Sequence, residues 1–184
     1  MDTKLVIGNL KFVTGNPHKV REAQDILGFA IEHADVDLEE IQTCDLRIAV
    51  TAKANHAWEI LRSPVLVEDS GLIFSAWNGL PGALVKWFEK SVGCAGMLRM
   101  LAGFDDREAF AVCMVAVHDG SQVRVAEGRA LGRIAESMAG KNGFGWDVIF
   151  IPDGHSRTYA EMDWQEKNSI SHRRLAFEKI KNML

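Results

Sequence analysis

Residues 14–19 have the side chains and the spacing of a phosphate-binding turn. Thr14, Asn16 and Lys19 supply polar or cationic donors, and Gly15 leaves the backbone accessible. The apolar run before Thr14 predicts a buried strand over 10–13, and Asn16 followed by proline is typical of a helix start. A strand that turns into a helix N-terminus offers unpaired amides and partial positive charge to an anion. The motif predicts phosphate binding, although an ordinary capped helix with an exposed lysine explains it equally well.

Three carboxylates could bind a metal ion and activate water. Glu68 and Asp69 follow a strand predicted over 65–67, and Glu40 belongs to an acidic loop. Carboxylate oxygens are the hard ligands that Mg²⁺ prefers. Because side chains alternate along a strand, we expect only one of the pair to face the substrate. Asp69, beside Ser70 where the chain is expected to turn, is the candidate for Mg²⁺ and for orienting or deprotonating water, although a solvated turn would look similar.

Two later segments could bind a base and further phosphate oxygens. Phe144, Gly145, Trp146 and Asp147 combine aromatic faces with a hydrogen-bond acceptor, a pattern that also suits core packing. Near the C-terminus, donors gather at Lys167, Ser171, His172, Arg173 and Arg174. Cationic helix faces are usually solvated, so this cluster is weak evidence by itself.

The elements that must position these residues indicate an α/β fold. Apolar residues at helical spacing follow Asp45, and a valine-rich strand over 109–118 meets a hairpin signal at Asp119. In open α/β sheets, ligands bind beyond the carboxyl ends of strands, so the first turn and the acidic pair should border one cleft. We therefore expect a mixed, strongly twisted sheet with flanking helices. Further predicted elements are a helix over 17–27 and one over 46–61, strands over 122–126 and 148–151, and a terminal helix over 169–184.

Composition limits the function classes. The chain has 184 residues, 47% of them hydrophobic, which predicts one domain over residues 1–184. A net charge of -4 disfavours general nucleic-acid binding. Three cysteines without a paired spacing argue against a disulfide framework, and no signal peptide or membrane segment is evident. The sequence predicts a soluble, cytoplasmic protein.

Taken in order, these motifs resemble the inosine triphosphate pyrophosphatases, which hydrolyse non-standard purine nucleoside triphosphates. The resemblance covers nearly the whole chain. Besides the segments above, it includes Glu22, residues 79–82, 86–88, 152–154, 158–162 and 166–168, and Ser171 through Arg173.

The resemblance implies hydrolysis of ITP, dITP and XTP to the monophosphate and pyrophosphate, with Mg²⁺, by a homodimer whose two lobes hold the site in a central cleft. It implies that Glu40 and Asp69 bind metal, and that Asp69 and Lys19 are catalytic. Nucleotide contacts are implied at Thr14, Gly15, Asn16, Lys19, Lys53, Ser70, Lys86, Phe144, Gly145, Trp146, Asp147, Lys167, His172 and Arg173. Among these, Lys53 lies next to a stretch that aligns only with a gap.

Two alternatives remain open from the sequence. One is a related pyrophosphatase that prefers pyrimidine or methylated nucleotides, and the other is a nucleotide sensor without catalysis. If the substrate is a non-standard purine nucleotide, we expect Arg173 to donate to the 6-oxo group of the base. Adenine presents an amino donor at that position and could not accept this hydrogen bond.

Overall fold

The computed structural model describes residues 9–184, and a mixed seven-stranded sheet forms its centre. The strands are β1 (Lys11–Val13), β2 (Glu32–Ala34), β3 (Val65–Phe74), β4 (Pro81–Gly82), β5 (Glu108–His118), β6 (Val123–Ile134) and β7 (Phe150–Pro152). Their order is β2-β1-β3-β5-β6-β7, and β4 pairs with β3. β1 is parallel to β2 and β3, whereas the other pairs are antiparallel. The predicted mixed, twisted α/β fold is confirmed.

Helices cover both faces of this sheet. They are α1 (Pro17–Leu27), α2 (Leu46–Leu61), α3 (Val85–Ser91), α4 (Gly93–Leu101), α5 (Trp164–Ile170) and α6 (His172–Lys181). Apolar residues of α1 and α6 pack with Leu66 and Val115, while those of α2 pack with Val65 and Val67. Within residues 9–184, no helix combines the length and the apolar character needed to span a membrane. That residues 1–184 form one domain of two lobes stays a prediction.

The predicted starts of α1 and α2 are confirmed by their caps. The Asn16 side chain accepts a hydrogen bond from the His18 amide at 3.0 Å, and α1 ends at Gly28, whose φ of 77° favours glycine. Asp45 caps α2 by accepting from the amides of Arg47 and Ile48. These contacts fix where the chain leaves the phosphate turn and where α2 enters.

The prediction that the strand ends at the acidic pair was wrong. β3 continues through Ser70 and Gly71 to Phe74, because its second half pairs with β5 and buries Leu72 and Phe74. β1 pairs with only the first two residues of β3, so the acidic pair lies just beyond the end of β1. The pair therefore still borders an opening in the sheet, though not at a turn.

Three further boundaries differ from the predictions. The strand expected over 122–126 is β6, which continues to Ile134 because it stays paired with β5 as far as Arg133. Residues Gly145–Val148 form a 3-10 turn, and the strand expected over 148–151 begins only at Phe150, because the Phe144 amide donates to the Asp147 carboxylate and closes the turn. The expected helix over 169–184 is interrupted at Ser171, whose hydroxyl accepts from the Arg174 amide and starts α6 anew. This break brings His172 and Arg173 to the first turn of α6.

Candidate active site

The site residues expected from the sequence surround one cavity of about 790 Å³. Its walls come from the turn between β1 and α1, the middle of β3, the loop before α2, the start of α3, the 3-10 turn and the start of α6. The expected residues on this wall are Thr14, Gly15, Asn16, Lys19, Glu40, Lys53, Asp69, Ser70, Lys86, Phe144, Gly145, Trp146, Asp147, His172 and Arg173. Lys167 is buried behind the wall, against Asp147 and Glu22.

The phosphate turn satisfies most of its own amides. The Asn16 amide donates to Thr14 Oγ1 at 3.2 Å, and the Lys19 amide donates to the Asn16 carbonyl. Among residues 9–184 the Gly15 amide has no acceptor. The turn can therefore offer an anion the Gly15 N–H, the Thr14 hydroxyl and the Lys19 ammonium, but not the full row of helix amides.

Alternation along β3 sends the two acidic side chains to opposite faces of the sheet. Glu68 shares its face with Leu66 and reaches Lys19 of α1, with 2.7 Å between Nζ and Oε1. Asp69 shares its face with Val65 and lies 3.5 Å from Lys53 of α2. Both still line the cavity, because it extends past the end of β1 on both faces.

Glu68 is the acceptor of a buried ion cluster. Arg173 donates to both of its oxygens, at 2.6 and 3.2 Å, and also to Ser70 Oγ at 2.9 Å. Burial alone would raise the pKa of Glu68, but Arg173 and Lys19 outweigh it and hold that pKa far below its usual range. Burial alone would lower the pKa of Lys19, yet Glu68 and Asp69 leave it raised. Lys19 therefore stays a cation at the cavity wall.

A second acidic residue, Glu22, ties this cluster to the base-binding segment. Glu22 is fully buried and accepts from Arg173 and, at 3.2 Å, from Lys167. Lys167 also donates to Asp147 at 2.6 Å. Burial raises the pKa of Asp147, and the Lys167 charge offsets this only in part. Asp147 accepts hydrogen bonds from the Lys167 ammonium and the Phe144 amide, so its carboxylate holds the 3-10 turn in place.

Lys53 lies between the two predicted metal ligands, and Lys86 pairs with one of them. Lys53 Nζ lies 3.7 Å from Glu40 Oε1 and 3.5 Å from Asp69 Oδ1, and Lys86 Nζ donates to both Glu40 oxygens. Burial alone would raise the pKa of Glu40, but the Lys86 hydrogen bond and the Lys53 charge lower it. Both carboxylates thus approach a common point between the loop before α2 and β3.

The aromatic part of the site is partly covered. The rings of His18 and Phe144 stack with centroids 5.4 Å apart, and Lys167 Nζ lies 4.8 Å from the Phe144 centroid. A base that stacks on the face occupied by His18 must displace that exposed side chain. His172 packs against Trp146, and burial together with Arg173 and Lys167 holds its pKa well below the usual value, so it is neutral.

The sequence analysis assigned no role to two acidic residues at the site. Glu22, named above only as part of the resemblance, lies beside Ala23 on the inward stripe of α1, and Glu89 lies on the cavity wall one turn after buried Val85 on α3. A carboxylate at an apolar position of a helix signals a buried partner or a binding role. That signal was readable from the spacing in both helices.

Comparison with known proteins identifies the family. The family model described as the Ham1 family matches residues 10–183. The inosine triphosphate pyrophosphatase of Schizosaccharomyces pombe is 45% identical over 183 residues, covering 97% of this chain and 96% of the relative. That of Batrachochytrium dendrobatidis is 48% identical over 174 residues, covering 92% and 90%. A HAM1 protein structure from Coxiella burnetii superimposes with a TM-score of 0.83 at 32% identity, covering 95% and 96%. The chain therefore belongs to the Ham1 family.

Proposed function

We propose that this protein hydrolyses ITP, dITP and XTP to the nucleoside monophosphate and pyrophosphate, and so keeps deaminated purines out of DNA and RNA. One observation carries the proposal: the phosphate turn with Lys19 and the Glu40–Asp69 pair face the same cavity as the Phe144 segment. The named relatives that match almost the whole chain support the same reaction.

The acidic pair fits a divalent ion, and we propose Mg²⁺ held by Glu40 and Asp69. Within residues 9–184 no three His, Cys, Asp or Glu side chains are grouped to hold a metal. Mg²⁺ commonly uses one or two carboxylates and takes its remaining ligands from water and substrate phosphates. When bound, the ion would neutralise charge on the phosphate oxygens. Lys53 contacts both carboxylates, and Lys86 contacts Glu40, so these lysines would share the carboxylates with the ion.

The chain's own residues supply binding, orientation and proton transfer. Lys19 and the Gly15 amide hold phosphate oxygens and stabilise the charge that develops on the leaving pyrophosphate. Asp69 orients a water molecule and accepts its proton as the water oxygen bonds to the α-phosphorus. The bond between that phosphorus and the oxygen bridging to the β-phosphate breaks, so pyrophosphate leaves.

Asp69→Asn tests the proton-acceptor role. Because the amide cannot accept the proton, turnover of ITP should fall by about 10² to 10⁴. Asp105→Asn is the control, since Asp105 is exposed and does not line the cavity. If the steady-state turnover of Asp69→Asn stayed within a few-fold of wild type, Asp69 would not be the proton acceptor.

Selection among bases depends on which groups of the base donate hydrogen bonds and which accept them. Four of the five guanidinium N–H groups of Arg173 donate to Glu22, Glu68 and Ser70. One N–H group is therefore left for a ligand. That donor suits a 6-oxo group and does not suit the amino group of adenine. A site whose polar groups match one base can lower kcat/KM for a base with the opposite donors and acceptors by as much as about 10⁴-fold.

A nucleotide panel tests the substrate class. Pyrophosphate release from ITP, XTP, GTP, ATP and dTTP is measured with Mg²⁺ and with EDTA. Metal-dependent turnover of ITP and XTP, with the other nucleotides far slower, is the expected result. Preference for dTTP would instead indicate a pyrimidine-type pyrophosphatase, and tight ITP binding without turnover would indicate a sensor.

We also propose a homodimer that works in the cytoplasm and does not bind nucleic acid. The formal net charge of -4 supports the last point, because a polyanion needs a positive surface. Sedimentation of the purified chain tests the dimer, and a single species of monomer mass at micromolar concentration would contradict it.

A further inference from the structure

His56 of α2 makes a hydrogen bond to the backbone of the acidic loop that precedes this helix. Its Nδ1 atom lies 3.1 Å from the amide nitrogen of Glu39, one residue before the proposed metal ligand Glu40. Because a backbone N–H can only donate, Nδ1 is the acceptor and the ring proton lies on Nε2. The ring is half-buried and does not line the cavity, so His56 acts on the site through the loop.

This bond is the main polar attachment of the loop backbone. Over residues 36–42, no other hydrogen bond joins a backbone amide or carbonyl to another part of the described chain. Leu38 packs against the apolar cluster that α2 forms with β3. The Glu40 side chain pairs with Lys53 at 3.7 Å and with Lys86 at 2.8 Å. The backbone itself is therefore tied to α2 through His56.

The His56 bond leaves the Glu40 carboxylate free, whereas the two lysines occupy it. Lys53 and Lys86 contact the same oxygens that a metal ion would need. His56 contacts only the backbone amide of Glu39. Because the peptide unit is planar, only the φ and ψ rotations of Glu39 lie between that amide and the Cα atom of Glu40. Fixing the amide therefore limits where the carboxylate of Glu40 can reach.

The second proposed metal ligand is also aligned by α2. Lys53, which precedes His56 by one helical turn, lies 3.5 Å from Asp69 of β3. The same helix thus contacts β3 at Asp69 and the acidic loop at Glu39. A helix is stiff over a single turn, so these contacts set the distance between the loop and the strand.

We propose that His56 is a positioning residue, which holds the acidic loop so that Glu40 lies opposite Asp69 and both carboxylates can bind one divalent ion. This role rests on the proposed function, since it assigns His56 to the metal site of that reaction. His56 touches neither the ion nor the nucleotide. Its contribution is to keep the loop in place when the lysine contacts to Glu40 are shared with the ion.

His56→Ala and His56→Asn test this role together. Alanine removes the acceptor, whereas asparagine offers an amide oxygen on a similarly short side chain. In His56→Ala, the free Mg²⁺ concentration that gives half-maximal ITP turnover should rise about 3- to 10-fold, as expected for one lost hydrogen bond. At saturating Mg²⁺, kcat and the KM for ITP should stay within about twofold of wild type. His56→Asn should restore most of the wild-type Mg²⁺ requirement.

Hydrogen–deuterium exchange of the metal-free protein gives a readout that does not depend on turnover. The amides of residues 36–42 should exchange faster in His56→Ala than in wild type, because the loop backbone loses its attachment to α2. His56→Asn should slow this exchange again. Equal exchange in wild type and His56→Ala would show that His56 does not anchor the loop.

The matched control is His118→Ala. His118 Nδ1 accepts from the Gly120 amide at 3.0 Å, and its ring stacks on Trp58 of α2 with centroids 4.9 Å apart. The variant therefore loses the same kind of bond and disturbs the same helix, but at the hairpin between β5 and β6 and not on the cavity wall. Its Mg²⁺ requirement should match that of wild type. An equal rise in His118→Ala and His56→Ala would show a general effect of lost stability and refute the positioning role.

Failure of this role is distinguishable from failure of the proposed function. If wild type does not hydrolyse ITP at any Mg²⁺ concentration, the proposed function is refuted and the role of His56 at the metal site falls with it. If wild type is active and His56→Ala keeps the wild-type Mg²⁺ requirement, only the role of His56 is refuted.

Discussion

Replacing Arg173 by alanine should destabilise the whole protein, not only remove a contact with the base. Arg173 is 1% exposed and bridges Glu22 of α1 and Glu68 of β3 from the first turn of α6. In the Arg173→Ala variant, both carboxylates stay buried and lose their main cation. Lys19 and Lys167 remain as one cation for each carboxylate.

The size of the effect follows from that geometry. Truncating one partner of a buried ion cluster costs about 3–5 kcal/mol, and here each of two buried carboxylates keeps only one of its two cations. For a chain of this length, each kcal/mol lowers Tm by about 2–4 °C, which gives a fall of about 6–20 °C.

The pH dependence gives a second readout. The folded pKa of Glu68 is depressed below its ordinary value of 4.5, so its stabilisation is complete above that pH and is lost as pH falls. In the Arg173→Ala variant the pKa of Glu68 is lowered less, because Arg173 contributes most to the lowering. The difference in unfolding free energy between wild type and variant should therefore narrow below about pH 4.5.

Thermal and urea unfolding measure both effects, and Arg174→Ala is the matched control. Arg174 pairs with Glu178 on the surface of α6, with side chains 40% and 47% exposed. Such i,i+4 pairs contribute about 0.3–0.5 kcal/mol, so Tm should change by less than about 2 °C. If Arg173→Ala and Arg174→Ala unfolded at the same temperature, the buried ion cluster would not stabilise the fold.

Two further predictions concern stability away from the cavity. Gly128→Ala should lower the free energy of unfolding by about 3 kcal/mol or more, because a methyl group there would overlap the backbone of α6 at His172 and Ala176. Gly103→Ala is the control, since the space around Gly103 is open, and its free energy of unfolding in urea should hardly change. Asp119 accepts hydrogen bonds from Ser121 that outweigh burial and lower its pKa to about 2. Asp119→Asn should therefore be less stable than wild type at pH 7, and the difference should shrink as pH falls from about 4 through 2. A difference as large at pH 2 as at pH 7 would contradict this assignment.

The local signals in the sequence predicted the starts of α1 and α2 and the hairpin between β5 and β6. Asn16 and Asp45 are short acceptors placed before apolar helical patterns, and each caps its helix as expected. The end of β3 was not predictable in this way, because Ser70 and Gly71 resemble a turn and only pairing with β5 keeps them extended.

The site was predictable in its residue types but not in its internal pairing. Lys53 meets Glu40 across a loop and a helix, and no periodic pattern determines that approach. The role of Glu68 was underestimated, because alternation showed that it points away from Asp69 but not that Lys19 and Arg173 converge on it. Such contacts depend on tertiary packing, which short-range spacing does not encode.

The most direct test of the proposed reaction is product analysis of ITP hydrolysis in ¹⁸O-labelled water with Mg²⁺. Attack at the α-phosphorus predicts IMP that carries the label, together with unlabelled pyrophosphate, and no reaction in EDTA. Formation of IDP and phosphate, or label in the pyrophosphate, would contradict the assignment of Asp69 and Lys19 to this reaction.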